Sequence, residues 1–233
     1  MTATLLAFDT STETMSVAVQ SAQGVSAWNG EGGARTSATL LPRIRLLLQE
    51  HALAMGALDA IAFGAGPGAF TGLRTACSVA QGLAFGASRP VLPIDSLLIV
   101  AEDARVQAGA KETFDVGVAM DARMGELYAA RYRWHAGAWV CSSAPMLCGP
   151  MALAHWWGDA GPQSLAGNGL QLLPAPPQTP VLAQVADRAA ALMRLAVRAN
   201  AAGVGIDAAR ALPVYLRDKV ASTTAERAAK ASA

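Results

Sequence analysis

Residues 4–8 form a short apolar run that closes on Asp9-Thr10-Ser11-Thr12, and residues 113–120 form another that closes on Asp121. The two acids stand about 112 residues apart. A short apolar run bounded by turn formers reads as a buried strand. Each is followed by further short runs, residues 15–19 and 24–28 after the first and residues 127–134 and 139–142 after the second. Runs separated by Ser, Thr and Gly read as an antiparallel meander. A chain that restarts the same strand-acid theme halfway along is expected to fold as two similar α/β lobes. The expected boundaries are a first lobe over 1–110, a smaller second lobe over 111–203, and a C-terminal segment over 204–233.

Between these anchors the pattern alternates. The period turns helical over 36–53, with Pro42 within its first turns and the regular helix expected to begin near it. Residues 58–64 read as a strand, 70–87 as a helix, 91–94 as a buried strand, and Ser96 as the cap of a third helix reaching about 108. In the second half, 150–156 reads as a helix, 164–166 as a strand, and about 181–200 as a long helix. The proline-rich stretch 174–180 is a loop. The tail 222–233 reads as a frayed helix or disorder.

Composition narrows the function. Of 233 residues, 53% are hydrophobic and 15% charged, so a core is easily built and some apolar surface is left for another protein. The formal net charge is +1, with no basic patch of the kind that holds nucleic acid unaided. No apolar run of about 18 residues suggests a membrane span, and the first nine residues read as a strand rather than a signal peptide. Cys77, Cys141 and Cys148 lack metal-ligand spacing and fit reduced thiols of a cytoplasmic protein.

Two lobes with an acid at the end of each first strand are similar to the actin, hexokinase and Hsp70 group. There the acid-bearing hairpins face one another across a cleft and hold nucleotide phosphate and metal. Between strand and helix lies Gly64-Ala-Gly-Pro-Gly-Ala-Phe-Thr-Gly-Leu-Arg74. Its glycines allow positive φ and close backbone approach, and a helix N-terminus beyond such a loop suits an anion. A tight turn with no ligand explains the same glycines.

Together with Leu6-Ala-Phe-Asp-Thr-Ser-Thr12, Ala80-Gln-Gly-Leu-Ala84, Met120-Asp-Ala-Arg-Met-Gly-Glu-Leu-Tyr128 and Pro213-Val-Tyr-Leu-Arg-Asp218, this loop resembles the bacterial TsaB (YeaZ) family. The resemblance covers nearly the whole chain. It implies an actin-like (Hsp70-actin-hexokinase) α/β fold whose C-terminal segment packs back on the first lobe. It implies a non-catalytic scaffold in forming N6-threonylcarbamoyladenosine at adenosine 37 of tRNAs reading codons that begin with A. The implied partners are a metal-binding transferase paralogue, TsaD, and a small ATPase, TsaE. A homodimer is implied when the chain is alone, and tRNA is met only through the complex. Many relatives carry a histidine where this chain has Thr36.

Two enzymatic readings compete. A metallopeptidase would need two histidines four apart on one helix face, and His51, His135 and His155 include no such pair. An actin-like ATP-dependent kinase would hold Mg²⁺-nucleotide with Asp9 and Asp121 and touch phosphate with Thr10 and Ser11. Gly66 and Gly68 complete this candidate cofactor set, with Gly167-Asn-Gly169 as a remote adenosine loop. Asp121 is followed by Arg123 and Glu126 rather than a glycine-rich phosphate hairpin. Strand-end acids also serve as turn formers, so a structural role and weak nucleotide binding both stay open. No cofactor of its own is expected.

The first lobe's helices carry the partner expectation. Leu40, Leu41, Ile44, Leu47 and Leu48 form one apolar stripe, while Leu46 and Leu53 fall elsewhere and either face a partner or are scattered exposed leucines. In 71–87, Gly72, Ala76, Ala80 and Ala84 recur every four residues as a smooth strip. Burial inside the lobe explains such a strip. In the resembling family the corresponding helices form the subunit interface, which places Leu46, Leu53, Gly72, Ala76, Ala80 and Ala84 there.

Overall fold

The computed structural model describes residues 2–157, 161–182 and 185–217. The expected frayed tail at 222–233 lies outside them.

Strands β1 (Leu5–Asp9), β2 (Thr14–Ser21) and β3 (Gly24–Glu31) form the meander, followed by helix α1 (Thr36–Glu50), β4 (Ala60–Gly66), α2 (Phe70–Ala87), β5 (Val91–Asp95) and α3 (Ser96–Gln107). The second half gives β6 (Thr113–Asp121), β7 (Leu127–His135), β8 (Ala138–Cys148), α4 (Pro150–Trp156), β9 (Ser164–Ala166), β10 (Val181–Leu182) and α5 (Arg188–Ala201). The first sheet has the order β3-β2-β1-β4-β5 and the second β8-β7-β6-β9-β10. The two orders are the same once β6 takes the place of β1. In each, the meander is antiparallel and the last two strands run parallel to the first. The repeat expected from Asp9 and Asp121 is therefore a repeat of topology, with each acid ending the central strand of its sheet. This is the actin-like arrangement of two related lobes. The second lobe is smaller for a visible reason: where the first has the 18-residue α2, it has only the 3-10 turn Asn168–Leu172.

Three local expectations change. The long helix expected from about 181 is a two-residue strand and a separate helix. Asp187 accepts the Ala190 amide and starts α5 there, while Val181 and Leu182 pair with β9 at the sheet edge. Asp95, not Ser96, caps α3, accepting the Leu97 and Leu98 amides. Also, α1 starts at Thr36, so Pro42 lies inside the helix.

The sheets divide near residue 110, but the packing crosses that line. Leu97, Val100, Ala101 and Ala104 of α3 pack on β6 and β7 of the second sheet. Ala189, Leu192, Met193 and Ala196 of α5 return to the first sheet, against Leu5, Ala7 and Ala18. Each lobe thus lends its last helix to the other, and α3 and α5 cross between them. The other face of the first sheet carries α1 and α2 over Leu6, Phe8, Ile61 and Phe63. Residues 206–214, after α5, pack on this lobe. Ile206 exchanges two backbone hydrogen bonds with Val91, both 2.9 Å, and Ala211 is fully buried. Among the described residues, no helix is long and apolar enough to cross a membrane.

Candidate functional site

The β1–β2 and β6–β7 hairpins face one another across a cleft of about 890 Å³ between the lobes. Glu13 of the first hairpin and Arg123 of the second form an ion pair across it. Ser11, Gly68, Asp121, Asn168 and Arg188 line it. The cleft that the two acids foretold is present, but neither acid is free.

Asp9 is fully buried. Its Oδ2 accepts from Arg188 Nε at 2.6 Å and from Ser11 Oγ at 3.0 Å, and its Oδ1 accepts from the Ser11 amide at 2.8 Å. Arg188, the first residue of α5, also donates Nη2 to Ser11 Oγ and to the Ser96 carbonyl, both at 3.2 Å. A guanidinium therefore stands against the carboxylate where the kinase reading puts a metal. Thr10 donates to the Gly72 carbonyl at 2.6 Å. Asp121 accepts from the Arg123 amide at 2.7 Å as a turn former, and its own amide donates to Asn168 Oδ1 at 3.0 Å. The structure thus brings Asp9, Thr10 and Ser11 together with Gly68, and gives each polar member an internal partner.

The glycine loop has an equally local explanation. A Cβ on Gly64 would collide with the Asp9 carboxylate, one on Gly68 with Ser11, and one on Gly72 with the Thr10 carbonyl oxygen. Gly66, at φ +120°, lies against the Val214 carbonyl of the C-terminal segment. These glycines let the loop, the β1–β2 turn and the chain end touch backbone to backbone. Gly72→Ala gains about 1 kcal/mol of helix propensity. The collision should outweigh it, for a net loss of about 1–3 kcal/mol in a denaturant melt.

A second polar cluster binds the floor of the molecule. Asp95 Oδ2 accepts from the Tyr132 hydroxyl at 2.5 Å. Burial pushes the Asp95 carboxyl above the usual range despite the Tyr132 and amide hydrogen bonds, and burial and the Asp95 charge push the Tyr132 hydroxyl up. Burial raises all three thiols as well. His51 sits buried between Ser21 and Ser26. Among the described residues, no three His, Cys, Asp or Glu are grouped to hold a metal ion.

The helix strip turns the other way from the expectation. Ala76 and Ala80 are fully buried and Ala84 nearly so, all within the first lobe's own core. Gly72 meets the Thr10 backbone, and Leu53 is half-buried against the same core. The small side chains bring α2 close to β4, so the strip is an internal packing face. Leu46 is exposed, as is Leu41, which the sequence put in the buried stripe. The outward side of α2 carries Arg74, Ser78, Gly82 and Phe85, the last 84% exposed. Thr36 is buried with its hydroxyl unpartnered.

With this geometry in place, similarity to known proteins decides the family. Residues 33–225 match the family model described as "TsaD: tRNA N6-adenosine threonylcarbamoyltransferase". A protein of Escherichia coli K12, the tRNA threonylcarbamoyladenosine biosynthesis protein TsaB, is 31% identical over 93% of this chain and 96% of its own length. The chain belongs to the TsaB family. The TsaB protein of Haemophilus influenzae is 45% identical over 54% of this chain, a match that spans 52% of that protein. Among solved structures, a Pseudomonas aeruginosa protein described as similar to peptidase YeaZ superposes with a TM-score of 0.83. It is 40% identical, covering 92% of this chain and all of that one. A second structure, YeaZ from the same organism, gives a TM-score of 0.79 at 38% identity. The TsaB resemblance first read from the glycine loop and the residues after Asp121 therefore extends to fold and length.

Arg188, Ser96, Glu13 and Arg217 were not singled out in the sequence as site residues. Arg188 meets Asp9 across 179 positions, and no local pattern announces such a pair. Arg217 did stand inside the Pro213–Asp218 motif, the one signal available.

Proposed function

We propose that this chain is an accessory subunit in the formation of N6-threonylcarbamoyladenosine on tRNA. It pairs with a TsaD-type transferase paralogue and contributes no transfer chemistry itself. Full-length similarity to a protein named for this biosynthesis carries the reading. The ion pair between Asp9 and Arg188 supports the non-catalytic part, because the first lobe's acid is already neutralised by an internal cation. On this reading the chain acts in the cytoplasm, meets tRNA only through the complex, forms a homodimer when alone, and is joined with its partner by a TsaE-type ATPase.

The partner surface fits the outward side of α1 and α2, centred on Leu41, Leu46 and Phe85. Three large apolar side chains left in water on neighbouring helices are the kind of surface a second protein covers. The buried strip is a poor probe of it: Ala80→Arg would put a charge into the lobe's core. Phe85→Glu and Leu46→Glu alter only the outside. Each is expected to weaken a one-to-one complex with the TsaD-type partner at least about tenfold, measured by light scattering on a sizing column, with the variant's own melting temperature unchanged. Absence of any complex with the unaltered chain, with or without ATP, would overturn the scaffold reading.

The rival is an actin-like kinase, favoured by the size of the interlobe cleft, which matches that of small-molecule sites. Weak nucleotide binding there is compatible with either role. Phosphoryl transfer by the purified chain would decide for the kinase.

A further inference from the structure

We infer that residues 206–217 form a strap that holds the two lobes closed over the cleft, with Arg217 as its clamp. The strap is fixed on the first lobe at four successive points. Ile206 pairs with Val91, and the Ala211 carbonyl accepts from Gln81 Nε2 at 3.0 Å. The Val214 amide donates to the Ala65 carbonyl at 2.7 Å, and the Tyr215 hydroxyl accepts from Arg74 Nε at 3.1 Å. Gly66 exists in a form that lets the strap lie this close, since any side chain there would strike Val214.

Two residues later the chain reaches the other lobe. Arg217 Nη2 donates to the Ala122 and Arg123 carbonyls at 3.0 and 3.3 Å, and Nη1 pairs with Glu126 Oε2 at 2.6 Å. All of these lie on the β6–β7 turn. That turn is strained: Arg123 and Met124, neither of them glycine, have φ of +66° and +58°. A guanidinium that accepts no substitute geometry holds its carbonyls in place.

The position decides the consequence. The crossing of α3 and α5 joins the lobes at the floor, far from the cleft mouth. Among the described residues, the polar ties at the mouth are Arg217 and the Glu13–Arg123 pair. The latter's side chains are 83% and 67% exposed, and a surface pair of that kind contributes little. The Arg217 side chain is only 13% exposed and makes charge-assisted bonds. Arg217 is therefore the tie that resists opening.

The test uses the full chain with Arg217→Ala, Glu126→Gln and Glu13→Gln. Small-angle scattering of Arg217→Ala should show a radius of gyration above the roughly 17 Å of a closed chain of this length. Hydrogen exchange of the turn amides at 122 and 126 should speed up at least about tenfold. Glu126→Gln should move the same amides in the same direction by less, and Glu13→Gln should change neither reading. An Arg217→Ala protein that melts earlier with unchanged scattering and exchange overturns the inference, because the contact would then only add stability. Should Arg217→Ala not fold, unchanged exchange in Glu126→Gln overturns it equally.

Discussion

Glu102→Ala should lower stability by about 3–5 kcal/mol, the range for a buried ion-pair network that loses one partner. Glu102 is fully buried on α3. It takes both Arg105 donors at 2.9 and 3.0 Å, Arg194 Nε at 2.9 Å and the Trp139 indole N–H at 2.9 Å. Arg198 stands 3.9 Å away. One carboxylate thus gathers α3, α5 and β8 where the exchanged helices cross. Its removal leaves three guanidinium groups facing one another. Arg105 and Arg198 also lie over the Trp134 ring, 4.4 and 4.5 Å from its centre, so the damage should spread to the second lobe's core.

The same residue sets a pH dependence. Burial alone would push the Glu102 carboxyl up, but the hydrogen bonds from Arg105, Trp139 and Arg194 and the Arg105 charge hold it below its usual value. A carboxylate depressed in the folded state stabilises the protein above its unfolded pKa, and that contribution is lost as pH falls through the folded value. Asp115, held down against burial by Arg131 and Arg133, acts in the same sense. Urea melts at pH 7 and near pH 3 should therefore show the Glu102→Ala difference shrinking in acid. A difference constant with pH would mean that Glu102 acts through packing alone.

Arg188→Ala should cost a similar amount, about 3–5 kcal/mol, and it bears directly on function. The substitution leaves the Asp9 carboxyl fully buried and without its counter-charge. Replacing the pair together, Asp9→Ala with Arg188→Met, should recover much of the loss, because the desolvation of both charges disappears with them. Millimolar Mg²⁺ with ATP should not restore the single variant. If it did, raising the melting temperature of Arg188→Ala by several degrees, the cleft would be a nucleotide-metal site with Arg188 as its internal stand-in. The kinase reading would then return.

The candidate site was half legible. Asp9 and Asp121 announced two facing hairpins because a strand that ends on an acid and turns is a local event, written within a few residues. Their occupation by Arg188 and Arg123 was less visible. Arg123 is near in sequence and its spacing already argued against a phosphate hairpin, whereas Arg188 arrives from the start of α5. The strip at 72, 76, 80 and 84 was read on the right helix and the wrong side. Small residues at four-residue spacing say that something approaches closely, and the same pattern serves a partner's helix or the lobe's own sheet.

What the sequence by itself determined is most of the strands and helices, the doubled strand-acid theme, and the family through its glycine loop. All of these are fixed by periodicity, turn chemistry and short motifs. What only the tertiary structure decided is which surfaces meet. The return of α5 to the first lobe, the Arg194–Glu102 bond and the Arg217 clamp join residues about 90 or more positions apart. Their partners are chosen by the crossing of helices and the path of the last segment, and burial gives those pairings their strength.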